Sequence, residues 1–188
     1  KRNKGTNMPE FIKNIFRRNK LAKCRSSVPT GLIPLQAAAV VNVVIDVEEE
    51  GFDTLKDKIL AWGRKNGYKV CIHFFDFRKL GKNELLITSI NTTFALKDLN
   101  WYGLPAPEKT ATLTDEQSDL FISLIDNGDF PIEFVSKCTA ARFKIGRHAF
   151  AGHCYDMVIS SRHKEDGSAG GAMEVFDKIV EFLGKISK

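Results

Sequence analysis

The sequence predicts an α/β fold, a three-layer sandwich with a mostly parallel sheet, and three observations carry that prediction. Residues 40–77 read as strand, helix, strand; residues 119–145 repeat that order; and residues 172–186 close the chain with an amphipathic helical period. Strands that alternate with helices need crossover connections, which pair strands in parallel and place helices on both faces of the sheet.

Ahead of this body, PEFIKNIFRRNK at 9–20 places Phe11, Ile12, Ile15 and Phe16 on one helical face and the cations on the others. A basic amphipathic N-terminal helix is therefore expected, with Pro9 tolerated in its first turn. SSVPTGLIP at 26–34 is too rich in turn residues for a regular element, so residues 1–38 form an arm of helix plus linker and 39–188 a single α/β domain. VVNVVIDV at 40–47 is an almost unbroken β-branched run, the signature of a buried parallel strand. A helical pattern through Phe52, Leu55, Ile59, Leu60 and Trp62 follows, Gly63 and Gly67 end it, and YKVCIHFFDF at 68–77 supplies the next strand. Residues 85–96 have strand composition, and 97–112, with Trp101, Tyr102, Pro105 and Pro107, reads as a long irregular stretch. DLFISLI at 119–125, a turn at Asn127 and Gly128, a helix at 131–141 and a strand at 142–145 make the second unit. A further strand at 155–160, a polar glycine-rich loop at 165–171 and the closing helix complete the Rossmann-like pattern. No internal repeat is visible.

With 188 residues, 43% hydrophobic and 27% charged, the chain has the composition of one globular domain that folds without needing a disulfide or a structural metal. The charge is unevenly placed. Residues 1–25 carry nine cations against Glu10 alone, a net +8, while the remainder carries 19 basic and 22 acidic residues, a net −3. No apolar run is long enough to span a bilayer, and the interleaving of Phe11, Ile12, Ile15 and Phe16 with Lys13, Arg17 and Arg18 is not that of an export signal. Cys24, Cys71, Cys138 and Cys154 show no paired spacing, and Cys71 lies in an apolar run where a reduced, buried thiol is the usual state, so the expected location is cytoplasmic.

No catalytic signature stands out, and no cofactor is expected. The first strand leads into Glu48-Glu49-Glu50-Gly51, where three carboxylates oppose a phosphate, rather than into a glycine-rich phosphate turn. The glycine-rich loop holding Gly167, Ser168, Gly170 and Gly171 precedes the last helix, whose free N–H groups suit an anion. His148, His153 and Cys154, with Cys138 or His163, are the nearest approach to a metal or Cys–His constellation, but they lack ligand spacing and suit buried structural thiols better. Asp46, Asp76, Asp119 and Asp126 fall at or near strand ends, where α/β folds place functional groups and where turn chemistry also places Asp.

Residues 119–146, DLFISLIDNGDFPIEFVSKCTAARFKIG, with Asp156-Met157-Val158-Ile159 and the closing 176–183 segment, resemble an uncharacterised family of small cytoplasmic proteins from Bacteroidota. That resemblance implies a basic helix before a single α/β domain and brings no activity. DLFISLI and AARFKIG are also remotely similar to the N-terminal half of two-domain, heptosyltransferase-type glycosyltransferases. Those enzymes place a Gly-Asp pair after the first strand, where this chain has its glutamates.

The leading expectation is a non-catalytic binding domain whose arm docks to a polyanion through Lys13, Arg17, Arg18, Lys20, Lys23 and Arg25. RNA, a ribosome-like assembly or an anionic membrane surface would serve, and the apolar stripe of the helix either enters that membrane or packs on the body. Trp101 and Tyr102 either stack on a partner or plug a core edge. The alternative is an enzyme or nucleotide-sugar binder with its ligand near Asp126 and the glycine loop; a homo-oligomeric structural domain is a third possibility.

Overall fold

The computed structural model describes residues 8–24, 26, 28–32, 34–36, 39–81, 86–161 and 171–186. Strands β1 (Val40–Asp46), β2 (Lys69–Asp76), β3 (Thr93–Ala95), β4 (Ser118–Ser123), β5 (Ala141–Gly146) and β6 (Met157–Val158) form one sheet. Its order is β3-β2-β1-β4-β5-β6, and every pairing is parallel. Helices α1 (Glu10–Lys23), α2 (Phe52–Asn66), α3 (Pro107–Thr114), α4 (Phe130–Cys138) and α5 (Ala172–Ile186) accompany it.

β1 is central, which is why Val41 to Ile45 are buried on both faces and read as continuous rather than alternating apolar sequence. Val41, Val43 and Ile45 meet Leu55 and Ile59 of α2 and Val175, Phe176 and Ile179 of α5. Val44, with Phe75 and Phe121, meets Leu113 of α3 and Ile132 and Val135 of α4 on the opposite face. These two apolar layers make the sandwich. α2 stops at Gly67, whose φ of 71° is the left-handed conformation that glycine adopts without a Cβ clash.

Several expectations change, among them the strand expected at 155–160, which contracts to Met157–Val158. The strand expected over 85–96 is confined to Thr93–Ala95 at the sheet edge. Upstream, Thr88 and Thr93 share a 2.7 Å hydroxyl hydrogen bond, and Thr93 also donates to the Ser89 carbonyl at 2.6 Å. Local hydroxyl bonds thus hold a turn where β-branched composition suggested a ladder. The stretch expected to be irregular contains α3, because Pro107 starts a helix at a position that needs no N–H donor rather than interrupting one. α4 ends at Cys138, short of residue 141, where Thr139 turns extended and Ala140 donates its N–H to Leu113 at 2.8 Å.

Candidate functional site

From β1 the chain winds to β2 and β3 on one side, and from β4 it winds to β5 and β6 on the other, so the β1/β4 boundary is a topological switch point. In open α/β sheets such a point opens a crevice at the carboxyl ends of the strands. Glu49, three residues past β1, reaches that end. One carboxylate oxygen accepts the Ala172 N–H at the start of α5 at 2.7 Å, and the other accepts Arg147 at 3.0 Å. Arg147, directly after β5, also donates to the Leu124 carbonyl at 3.2 Å and pairs with Asp126 at 3.5 Å. His148 Nδ1 lies 3.5 Å from the other oxygen of Asp126.

This arrangement answers the anion-site expectation in an unforeseen way. Gly167, Ser168 and Gly170 lie outside the described residues; Gly171 is described and stands beside Glu49. The positive end of α5, the guanidinium of Arg147 and Asp126 are brought together, and the Glu49 carboxylate accepts hydrogen bonds from both the Ala172 N–H and Arg147. Of the three carboxylates expected to oppose a phosphate, Glu49 is held by the start of the helix. Glu49 and Arg147 were missed as partners because 98 positions separate them, and no local pattern links a glutamate after one strand to an arginine after another.

The second candidate region is α1. Arg17 points into the body: its Nε donates to the Tyr102 carbonyl at 2.7 Å, its Nη1 bonds Glu10 at 2.6 Å, and its guanidinium lies 5.4 Å from the Phe130 ring centre. Gly103, at φ 91°, holds the tight turn beside it; a Cβ there would sit 3.6 Å from the Arg17 guanidinium. Lys13 pairs with Glu10 at 3.2 Å, and these cations hold the Glu10 carboxyl below its usual range. Arg18, Lys20 and Lys23 are exposed, and Arg25 lies outside the described residues. Beneath the helix a cleft of about 630 Å³ runs between Arg17 and Arg18 on one wall and Phe77, Gly128 and Phe130 on the other.

The apolar stripe does not pack wholesale on the body. Phe11 is 66% exposed and Ile15 53%, and only Phe16 makes aromatic contacts, with ring centres 5.1 Å from Trp101 and 5.7 Å from Tyr102. Tyr102 is buried in the core edge and Trp101 is half-exposed. The inward Arg17 and a covalent tie hold the helix to the body. That tie corrects the reading of the thiols: Cys24 at the end of α1 is disulfide-bonded to Cys138 at the end of α4, with Cα atoms 5.3 Å apart and 114 positions between them. Spacing along the chain could not reveal it, since the two helix ends meet only in the fold.

The remaining candidates, and Lys144 beside them, are engaged by neighbours within the fold. Cys154 is buried and its thiol is pushed up to about 11 by desolvation, the reverse of an activated nucleophile. Lys144, pushed down to about 8 by burial, donates to the Ser136 and Lys137 carbonyls at 3.0 Å each and so caps α4. Among the described residues, no three His, Cys, Asp or Glu side chains gather as metal ligands; His163 lies outside them. Asp46 accepts the Glu48 N–H at 2.9 Å, and its carboxyl is raised by burial. Asp119 accepts the Val40 N–H at 2.9 Å, tying the start of β1 to β4. Asp76 is gripped by Arg78 through Nε at 2.8 Å and Nη2 at 2.7 Å, which lowers its carboxyl.

Among the described residues no helix is long and apolar enough to cross a membrane. No curated protein and no solved structure matches the chain. The span that carries α1, the whole sheet and the Glu49–Arg147 pair does have relatives in sequence: residues 10–168 match DUF6913, a family of unknown function, and the chain belongs to that family.

Proposed function

We propose that this protein is a binding domain that docks peripherally on an anionic lipid surface through the outward face of α1. The observation that carries the reading is the orientation of that helix. Its cation Arg17 is turned inward, while Phe11 and Ile15 face solvent with Arg18 exposed beside them and Lys20 and Lys23 exposed farther round the helix. A helix lying on a bilayer needs this combination of an apolar sector that enters the acyl boundary and cations that meet the headgroups. Half-exposed Trp101, packed on Phe16, suits the interfacial level where indole rings settle. Burying Phe11 and Ile15 supplies roughly 3 kcal/mol and each cation near an anionic surface about 1 kcal/mol, enough for weak, reversible attachment. RNA is the less favoured polyanion, because exposed isoleucine adds nothing to phosphate binding.

Co-sedimentation with vesicles of mixed phosphatidylglycerol and phosphatidylcholine, against phosphatidylcholine alone, tests this. Wild-type protein should pellet with the anionic vesicles at low salt and be released at ~0.5 M salt. F11S/I15S, whose changes fall on exposed positions, should lose about a hundredfold in partitioning while keeping its thermal midpoint. Equal pelleting of wild type and F11S/I15S would overturn the reading. Salt-sensitive binding to homopolymeric RNA that survives F11S/I15S and disappears in R18E/K20E/K23E would reassign the arm to RNA.

A further inference from the structure

At the carboxyl ends of β2 and β3, where Asp76 and Ala95 are paired in register, lies a cavity of about 740 Å³, within the ~300–1,000 Å³ range of small-molecule sites. It is separate from the Glu49–Arg147 pair and from the outward face of α1. Its walls are largely apolar, formed by Leu80, Leu86, Ile90 and Leu96. Ile90 is 54% exposed and Leu96 is also exposed, so the hollow leaves large aliphatic groups open to water. Among the described residues its charged groups are few and mostly cationic. Asp76 is fully buried and its carboxylate is taken up by the Arg78 fork, whereas Lys79 and Lys97, both exposed, line the same hollow. Among the described lining residues, three cations against one engaged carboxylate leave net positive charge beside an apolar wall.

We infer that this cavity binds a single-chain anionic amphiphile, with an alkyl chain along Leu80, Leu86, Ile90 and Leu96 and a carboxylate or phosphate head at Lys79 and Lys97. A purely apolar ligand would leave those ammonium groups unused, and a small polar anion would leave the aliphatic wall wet. Leu96 also lines the cleft beneath α1, so the hollow lies next to the helix without using its outward side chains. The inference therefore stands whether or not α1 docks on lipid.

The test is isothermal titration of the full chain with decanoate and dodecanoate below their micellar concentrations, with octyl glucoside as the neutral-headed control. Saturable one-site binding is expected, tightening roughly three- to fourfold per added methylene. K79E/K97E should weaken dodecanoate about tenfold, and I90D, at an exposed wall position, should weaken it at least as much with the thermal midpoint unchanged. F11S/I15S should bind dodecanoate like wild type, which separates this site from attachment of α1. Absence of saturable heat, octyl glucoside binding as tightly as decanoate, or wild-type affinity in both K79E/K97E and I90D would each overturn the assignment.

Discussion

His73 shows how one residue can set the acid limit of the fold. It sits on β2 at 2% exposure, the Phe94 ring lies 6.4 Å away between centres, and its Nε2 finds no hydrogen-bond partner among the described residues. Desolvation disfavours the imidazolium, and the group is pushed down to about 4 from 6.5. Above pH 6.5 the ring is neutral in both the folded and the unfolded chain, so it contributes no pH dependence. As pH falls from 6.5 to 4 the unfolded chain takes up a proton that the folded one refuses, so stability drops; below pH 4 both are protonated and the loss is complete. At pH 4.5 the loss amounts to about 2–3 kcal/mol. Urea unfolding of wild type and His73→Leu at pH 7.5 and 4.5 should show the gap between the two pH values narrowing by that amount in the variant. An unchanged gap would mean that the ring is hydrated and titrates normally.

At the scale of the element, α1 was legible as a helix but not as a docked one. Its apolar period, from Phe11 to Phe16, specifies that two faces exist; which face turns inward depends on what the body offers. Here the body offers the Tyr102 carbonyl and the Phe130 ring to Arg17, and Cys138 to Cys24. α3 was hidden for another reason, since only Thr110 and Leu113 of its eight residues are buried and the apolar signal is too sparse to read. The disulfide has a measurable consequence for α1 and α4 together. Closing a loop with 114 positions between its ends restricts the unfolded chain, which corresponds to about 4–5 kcal/mol in the chain-entropy account. Reduction, or Cys24→Ser, should therefore lower the unfolding free energy by several kcal/mol. Thiol titration in denaturant without reductant should find two reactive groups, Cys71 and Cys154. Four reactive thiols together with an unchanged urea midpoint would refute the bond.

For the whole molecule, the parallel sandwich was readable because its evidence is local: β-branched runs for β1 and β2, an apolar helical period for α2 and α5, and turn residues between them. The site at the switch point was not, because Glu49, Asp126, Arg147 and Ala172 each look ordinary in place and meet only once the sheet order is set. What the fold does with that crevice decides its ligand chemistry. A Rossmann-like sheet presents a helix N-terminus to an incoming phosphate; here the Glu49 carboxylate holds the amide of Ala172 and the buried guanidinium of Arg147 instead. Removing the carboxylate should cost about 2–3 kcal/mol, the penalty for taking the nearer counter-charge from a buried cation, reduced because Glu49 is partly exposed and Asp126 stays beside Arg147. The same removal leaves a cationic pocket that inorganic phosphate can fill. In Glu49→Ala, phosphate at ten times its dissociation constant should restore about 1.4 kcal/mol, seen as a concentration-dependent rise in the thermal midpoint, while wild type at equal ionic strength should not respond. A variant as indifferent to phosphate as wild type would show that the carboxylate braces the loop after β1 against α5 without standing in an anion's place. A phosphate-dependent rise confined to the variant would mean that the fold has closed its own phosphate position, so that any natural ligand binds elsewhere along the carboxyl edge of the sheet.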